Sequence, residues 1–147
     1  MPKTIVIAGG GRNVGKTSLA EALAAILGDA AVVKLGVHAT QDGKNPLLFP
    51  AGTRLSEVAA AAGERAWLIV ESGSVLDDPD ADGALVIFLP AARGDKPGSA
   101  RRMDRAHIVR GRELGRDERS AIRERWGFDD ERLAALIRAV EAPAAAP

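Results

Sequence analysis

The chain has 147 residues, 46% of them hydrophobic, with 20 acidic side chains balanced by 20 lysines and arginines. That length suits one domain with its own core, and the apolar share argues against disorder along most of it. Zero net charge gives no global pull toward nucleic acid or an acidic membrane, and the absence of cysteine excludes disulfides, zinc–thiolate sites and cysteine nucleophiles.

Thr4-Ile5-Val6-Ile7-Ala8 is a short apolar run rich in β-branched residues, the pattern of a buried strand. An N-terminus running straight into it predicts no signal peptide. No apolar stretch is long enough to span a bilayer, so a cytoplasmic protein is expected. Gly10-Gly11-Arg12-Asn13-Val14-Gly15-Lys16-Thr17 follows and fits G-x-x-x-x-G-K-[ST], the phosphate-binding P-loop. Leu19, Leu23, Ile26 and Leu27 then share one helical face, and Gly28 stands where a helix should stop. Strand, glycine loop and helix is the arrangement the motif requires.

Ala31 to Leu35 predicts a second strand. Gly36 to Gly52 is polar, holds Gly43, Pro46 and Pro50, and predicts a long functional loop. Leu55 to Ala62 predicts a short helix ending at Gly63, and Trp67 to Val70 a third strand ending at Glu71. Ser72 to Gly83 is an acidic loop carrying Asp77, Asp78, Asp80 and Asp82, without the spacing of a calcium loop. Ala84 to Leu89 predicts a fourth strand, Ser99 to Arg105 a short helix and Ala106 to Val109 a fifth strand. Helical structure is expected from Arg110 onward, with Leu133, Leu136, Ile137 and Val140 as its docking stripe and Trp126 and Phe128 anchoring the preceding turn.

Continuous apolar strands alternating with helices predict an α/β fold: a three-layer P-loop NTPase with a mostly parallel central sheet and a C-terminal helical segment. Residues 1–141 are expected to form one nucleotide-binding domain, with 110–141 its C-terminal helices and 142–147 a mobile Ala/Pro tail. The P-loop, Lys34, Glu71 and the loop after Leu89 all fall at the carboxyl ends of strands, where ligands bind in such sheets.

The chemistry expected of the loop follows from its residues. Glycines let the backbone curl around an anion, and successive amides and the helix N-terminus then face the phosphates. Gly10, Gly11, Arg12, Asn13, Val14, Gly15, Lys16, Thr17 and Ser18 make up the expected phosphate site, with Lys16 reaching the phosphate oxygens and Thr17 ligating Mg²⁺. Glu71 stands where a Walker B carboxylate would, able to support the metal or position an attacking water. Lys34 could touch a phosphate, pair with Glu71, or be a solvated strand end. Arg12 is either an arginine finger or solvent-facing. Asp42 and Asn45 are either switch-loop contacts or plain loop residues. His38 lies in that loop, and His107 in a short strand reads as structural. Residues 93–125 hold eleven basic and six acidic side chains, interleaved and without an aromatic ladder, which suits solvated helices better than a nucleic-acid surface. Arg93-Gly94-Asp95-Lys96-Pro97 does not match the usual guanine-reading motif and reads as a surface turn, although Asp95 could accept hydrogen bonds from guanine.

With the P-loop, Lys34, Gly43-Lys44, Ala51-Gly52 and a strand ending at Glu71, the chain resembles the MobB family of molybdopterin-guanine dinucleotide biosynthesis adapter proteins. The resemblance covers roughly the first ninety residues, and the P-loop is its specific part. Asn45 stands where the family has an aspartate and Ser72 where it has a glycine. The resemblance implies binding of GTP with Mg²⁺, weak hydrolysis, a homodimer and a partner nucleotidyltransferase of molybdenum cofactor synthesis. Two alternatives remain open from the residues: a small-molecule kinase using ATP, and a nucleotide-switched metallochaperone or scaffold.

Overall fold

A computed structural model describes residues 2–11, 14–36, 47–92, 94 and 97–142. Of the expected tail 142–147, residues 143–147 lie outside them. The first strand, β1 (Lys3–Gly9), is followed by α1 (Lys16–Leu27), β2 (Ala30–Gly36), β3 (Leu47–Pro50), α2 (Leu55–Ala62) and β4 (Trp67–Glu71). Two 3-10 turns, Ser74–Asp77 and Pro79–Gly83, lead to β5 (Leu85–Leu89). The chain then runs through α3 (Ser99–Asp104), β6 (Ile108–Val109), α4 (Arg116–Trp126) and α5 (Asp130–Glu141).

The strands form one six-stranded sheet in the order β3-β2-β4-β1-β5-β6, and every described pairing is parallel. β1 therefore lies at the centre, between β4 and β5. The connection leaving it runs toward β2, whereas the chain beyond β5 runs to the opposite edge. This is the switch point at which such sheets open a crevice.

Strand alternation sorts the core into two layers. Ile5, Ile7, Ile69, Leu85 and Ile87 face α1, α4 and α5, against Leu19, Leu23, Ile122, Leu133, Leu136 and Val140. Val6, Ala8, Leu68, Val70, Val86 and Phe88 face the other way, against Leu55 and Val58 of α2 and the 3-10 turns. The result is the expected three-layer α/β architecture. The stripe on α5 docks as its spacing requires, with Leu136 and Val140 fully buried and Ile137 packed at the margin.

The C-terminal helices are placed by aromatic anchors. Phe128 stacks on Trp67 with ring centroids 5.3 Å apart, and the Trp126 Nε1 donates to the Gly83 carbonyl at 3.2 Å. Asp129 caps α5 by accepting from the Arg132 amide at 2.7 Å.

Three expectations need correction. The polar segment from Gly36 to Gly52 is not entirely loop, because Leu47–Pro50 forms the edge strand β3 on β2. Pro46 and Pro50 conceal it in the sequence, but proline is tolerated at a sheet edge, where one row of donors has no ladder to serve. The acidic loop is structured: Asp78 accepts from the Asp80 amide at 3.0 Å, capping the second 3-10 turn, and from the Leu55 amide at 2.8 Å, tying that turn to the start of α2. Helix does not begin at Arg110; the chain turns at Arg110 and Gly111, with Gly111 at φ 86, runs irregularly to Gly115, and α4 starts at Arg116.

Candidate phosphate-binding site

The glycine loop sits over the carboxyl end of β1 and is pinned there from several sides. The Gly10 amide donates to the Leu89 carbonyl at the end of β5, at 3.0 Å. A side chain on Gly9 would lie 2.7 Å from Val14 Cγ2 and 3.3 Å from Lys16 Cδ, so the loop folds back over this strand end only because nothing projects there. Gly15 has φ 93, a left-handed backbone that a β-carbon would strain, and α1 begins at the next residue. The first amides of α1 have no intrahelical partners and carry the positive end of the helix dipole, beside the loop. Lys16 is partly buried, while Thr17 and Ser18 are exposed. Arg12 and Asn13, also expected in this site, lie outside the described residues.

Glu71 is brought to the loop by register. It pairs with Ile7 on one side and Lys34 on the other, and the pleat turns Glu71 and Lys34 to the face that carries α1. The Thr17 hydroxyl donates to Glu71 Oε1 at 2.9 Å across 54 residues of sequence. Glu71 is only 2% exposed, and its Oε2 has no hydrogen-bond partner among the described residues. Burial pushes its carboxyl above the usual carboxylate value, although the Thr17 hydrogen bond and the Lys34 and Lys16 charges pull the other way. Lys34 remains exposed and forms no close ion pair with Glu71, so it acts on the carboxylate through space.

These residues fit a magnesium site. Thr17 gives its proton to Glu71, which leaves hydroxyl lone pairs available to a cation, and Glu71 keeps one buried oxygen unsatisfied. Among the described residues no group of three or more histidines and carboxylates could hold a metal without help. A hard cation here would draw its other ligands from water and from the phosphates of a bound nucleotide.

Beyond Glu71 the chain continues the same edge. Ser72 is buried, its amide donates to the Ile7 carbonyl at 3.1 Å, and its hydroxyl lies 3.0 Å from that of Ser74. Ser74 lines a cleft of about 280 Å³ with Leu35, Thr53, Arg54, Asp77 and Asp78, on the side of the sheet opposite α1.

His107 is structural, as expected, although it precedes β6 rather than lying in a strand that begins at Ala106. Its Nδ1 accepts from the Val86 amide at 3.0 Å, and its ring meets Trp126 edge-on. The switch-loop residues His38, Asp42, Gly43, Lys44 and Asn45, and also Arg93, Asp95 and Lys96, lie outside the described residues. Two residues at the loop were not singled out by motif reasoning. Gly9 was legible as the first of three consecutive glycines. Arg110 gave no local signal: its Nη1 donates to the Val14 carbonyl at 2.7 Å from 96 residues away. Comparison with protein-family models, curated proteins and solved structures gave no match.

Proposed function

We propose that this protein binds a nucleoside triphosphate with Mg²⁺ at the loop from Gly10 to Ser18. One observation carries the reading: the Thr17 hydroxyl reaches Glu71 at 2.9 Å, which unites the end of the motif with a buried carboxylate at the end of β4. A glycine loop serving only as a turn would have no use for that pairing. In this reading Lys16 and the loop amides hold the phosphates, and Thr17 and Glu71 hold the metal. Bound there, Mg²⁺ would neutralise phosphate charge. Glu71 orients Thr17, and Lys34 tempers the local negative charge. Positioning and charge stabilisation of this kind predict slow turnover without a partner.

The resemblance to the MobB family extends the proposal. GTP is then the nucleotide, the protein is a cytoplasmic homodimer with weak hydrolysis, and a nucleotidyltransferase of molybdenum cofactor synthesis is its partner. Among the described residues no helix is long and apolar enough to cross a membrane. The cleft beside Ser74 favours a second reading, a small-molecule kinase, because it offers room for an acceptor at the same end of the sheet.

Calorimetric titration of GTP and ATP, each with Mg²⁺, into wild type and Lys16→Ala separates these readings. Selective GTP binding that disappears in the variant supports the adapter. Preference for ATP, with ADP released only when an acceptor is present, supports the kinase. Triphosphate binding unchanged in Lys16→Ala would sink the site assignment.

A further inference from the structure

Gly15, the residue before α1, has little conformational preference of its own. Gly15 has no side chain, so the peptide joining Val14 to Gly15 can rotate with little resistance from sterics. Its orientation matters, because that peptide is planar and trans: the Val14 carbonyl and the Gly15 amide point in opposite directions. One orientation offers an N–H to an anion seated in the loop, and the other offers it a carbonyl oxygen.

The brace comes from the far end of the chain. Arg110, in the turn after β6, donates from Nη1 to the Val14 carbonyl at 2.7 Å and from Nε to the Val140 carbonyl at 2.6 Å. Val140 belongs to the last turn of α5, where carbonyls lack intrahelical partners and a cation is favoured. The next amide, Gly111, donates to both carboxylate oxygens of Glu141, at 3.0 and 3.1 Å. The turn carrying Arg110 is thus fastened to the end of α5, and its guanidinium has two fixed acceptors that no single-point cation could bridge in the same way.

We propose that Arg110 is a positioning residue for the phosphate loop. By holding the Val14 carbonyl outward it directs the Gly15 amide toward the bound phosphates, and the last turn of α5 completes the brace. The inference rests on the loop being a phosphate site. It also gives α5 a task beyond covering the sheet: displacement of its last turn would loosen phosphate binding, and phosphate binding would in return secure that turn.

The test uses the whole chain with inorganic tripolyphosphate and Mg²⁺, a probe without a base. Affinity is measured by calorimetry for wild type, Arg110→Ala, Arg110→Lys and Lys3→Ala, with a urea unfolding curve on each. Lys3 donates to the Trp126 carbonyl at the opposite end of β1, so its loss tests destabilisation without the brace. Arg110→Ala should weaken binding about tenfold or more, the effect of losing one aimed hydrogen bond to an anion. Arg110→Lys, which can serve one carbonyl at a time, should fall between. Lys3→Ala should lower the urea midpoint and leave affinity unchanged. The ligand-induced shift of the Gly15 amide resonance should shrink in Arg110→Ala, a change that a purely structural arginine would not produce. If Arg110→Ala does not fold, Arg110→Lys and Glu141→Ala carry the comparison, and both should weaken binding. Wild-type affinity in the folded Arg110 variants would overturn the brace alone, whereas a wild type that binds neither tripolyphosphate nor nucleotide would overturn the phosphate site itself.

Discussion

Replacing Glu71 with glutamine should separate the function of this carboxylate from its effect on stability. Glu71 is 2% exposed, and burial raises its pKa even with Lys34 and Lys16 nearby. The charged form is therefore less comfortable in the folded protein than in the unfolded chain. Each unit of such a rise corresponds to about 1.4 kcal/mol lost at pH values above the folded pKa. Glutamine keeps the shape, can still accept from Thr17, and leaves one buried polar atom unpaired just as glutamate does. The difference that remains is the desolvated charge, so ligand-free Glu71→Gln should be equal to wild type or more stable by about 1 kcal/mol at pH 7.5.

The sign with pH follows from the raised pKa. The folded state favours the protonated acid, so Glu71 contributes fully below the unfolded value of 4.5 and that contribution is lost as pH rises through the folded value. Urea unfolding followed by tryptophan fluorescence from pH 4.5 to 7.5, without Mg²⁺, should show the variant gaining on wild type as pH rises. Saturating Mg²⁺ and triphosphate should stabilise wild type by about 2.7 kcal/mol at one hundred times the dissociation constant. The variant should show a much smaller increment at the same concentrations. A ligand-free variant destabilised by about 2 kcal/mol or more would refute the desolvation argument. An undiminished ligand increment would refute the metal role.

Two predictions concern the scaffold. Burial, and then the Arg125 charge, hold His107 below its usual pKa, so its neutral form, which accepts from Val86, supports the fold. That support is complete above 6.5 and is lost as pH falls below it. In urea unfolding, His107→Leu should therefore flatten the loss of stability between pH 7 and 5.5, and an unchanged slope would remove His107 from the account. Leu136 is fully buried in the α5 layer, and Leu136→Ala should cost about 2–5 kcal/mol by urea unfolding; a loss under about 1 kcal/mol would mean that α5 is not held as described.

Much of the site was legible because its signals are local. The spacing from Gly10 to Thr17 specifies a loop, a helix start, a lysine and a hydroxyl within eight consecutive residues. The end of β4 at Glu71 was legible too, because an apolar run stops where a side chain reaches water or chemistry. The edge strand Leu47–Pro50 was hidden, since its pairing depends on β2 and not on any apolar run of its own. Asp78 looked like one solvated acid among four, and only its distance to the Leu55 amide reveals it as a tie between segments.

The amino-acid order by itself determined the α/β class, the glycine loop before α1 and the identity of the carboxylate facing it, because hydrophobic period and glycine placement act within a few residues. Tertiary structure alone decided the rest. The register Lys34–Glu71–Ile7 buries that carboxylate against Thr17. The C-terminal helices, docked through Phe128 on Trp67, bring Arg110 to the Val14 carbonyl. Those pairings join residues 54 and 96 positions apart. No local propensity encodes such a pair, because it forms only when two separately specified elements pack on the same sheet.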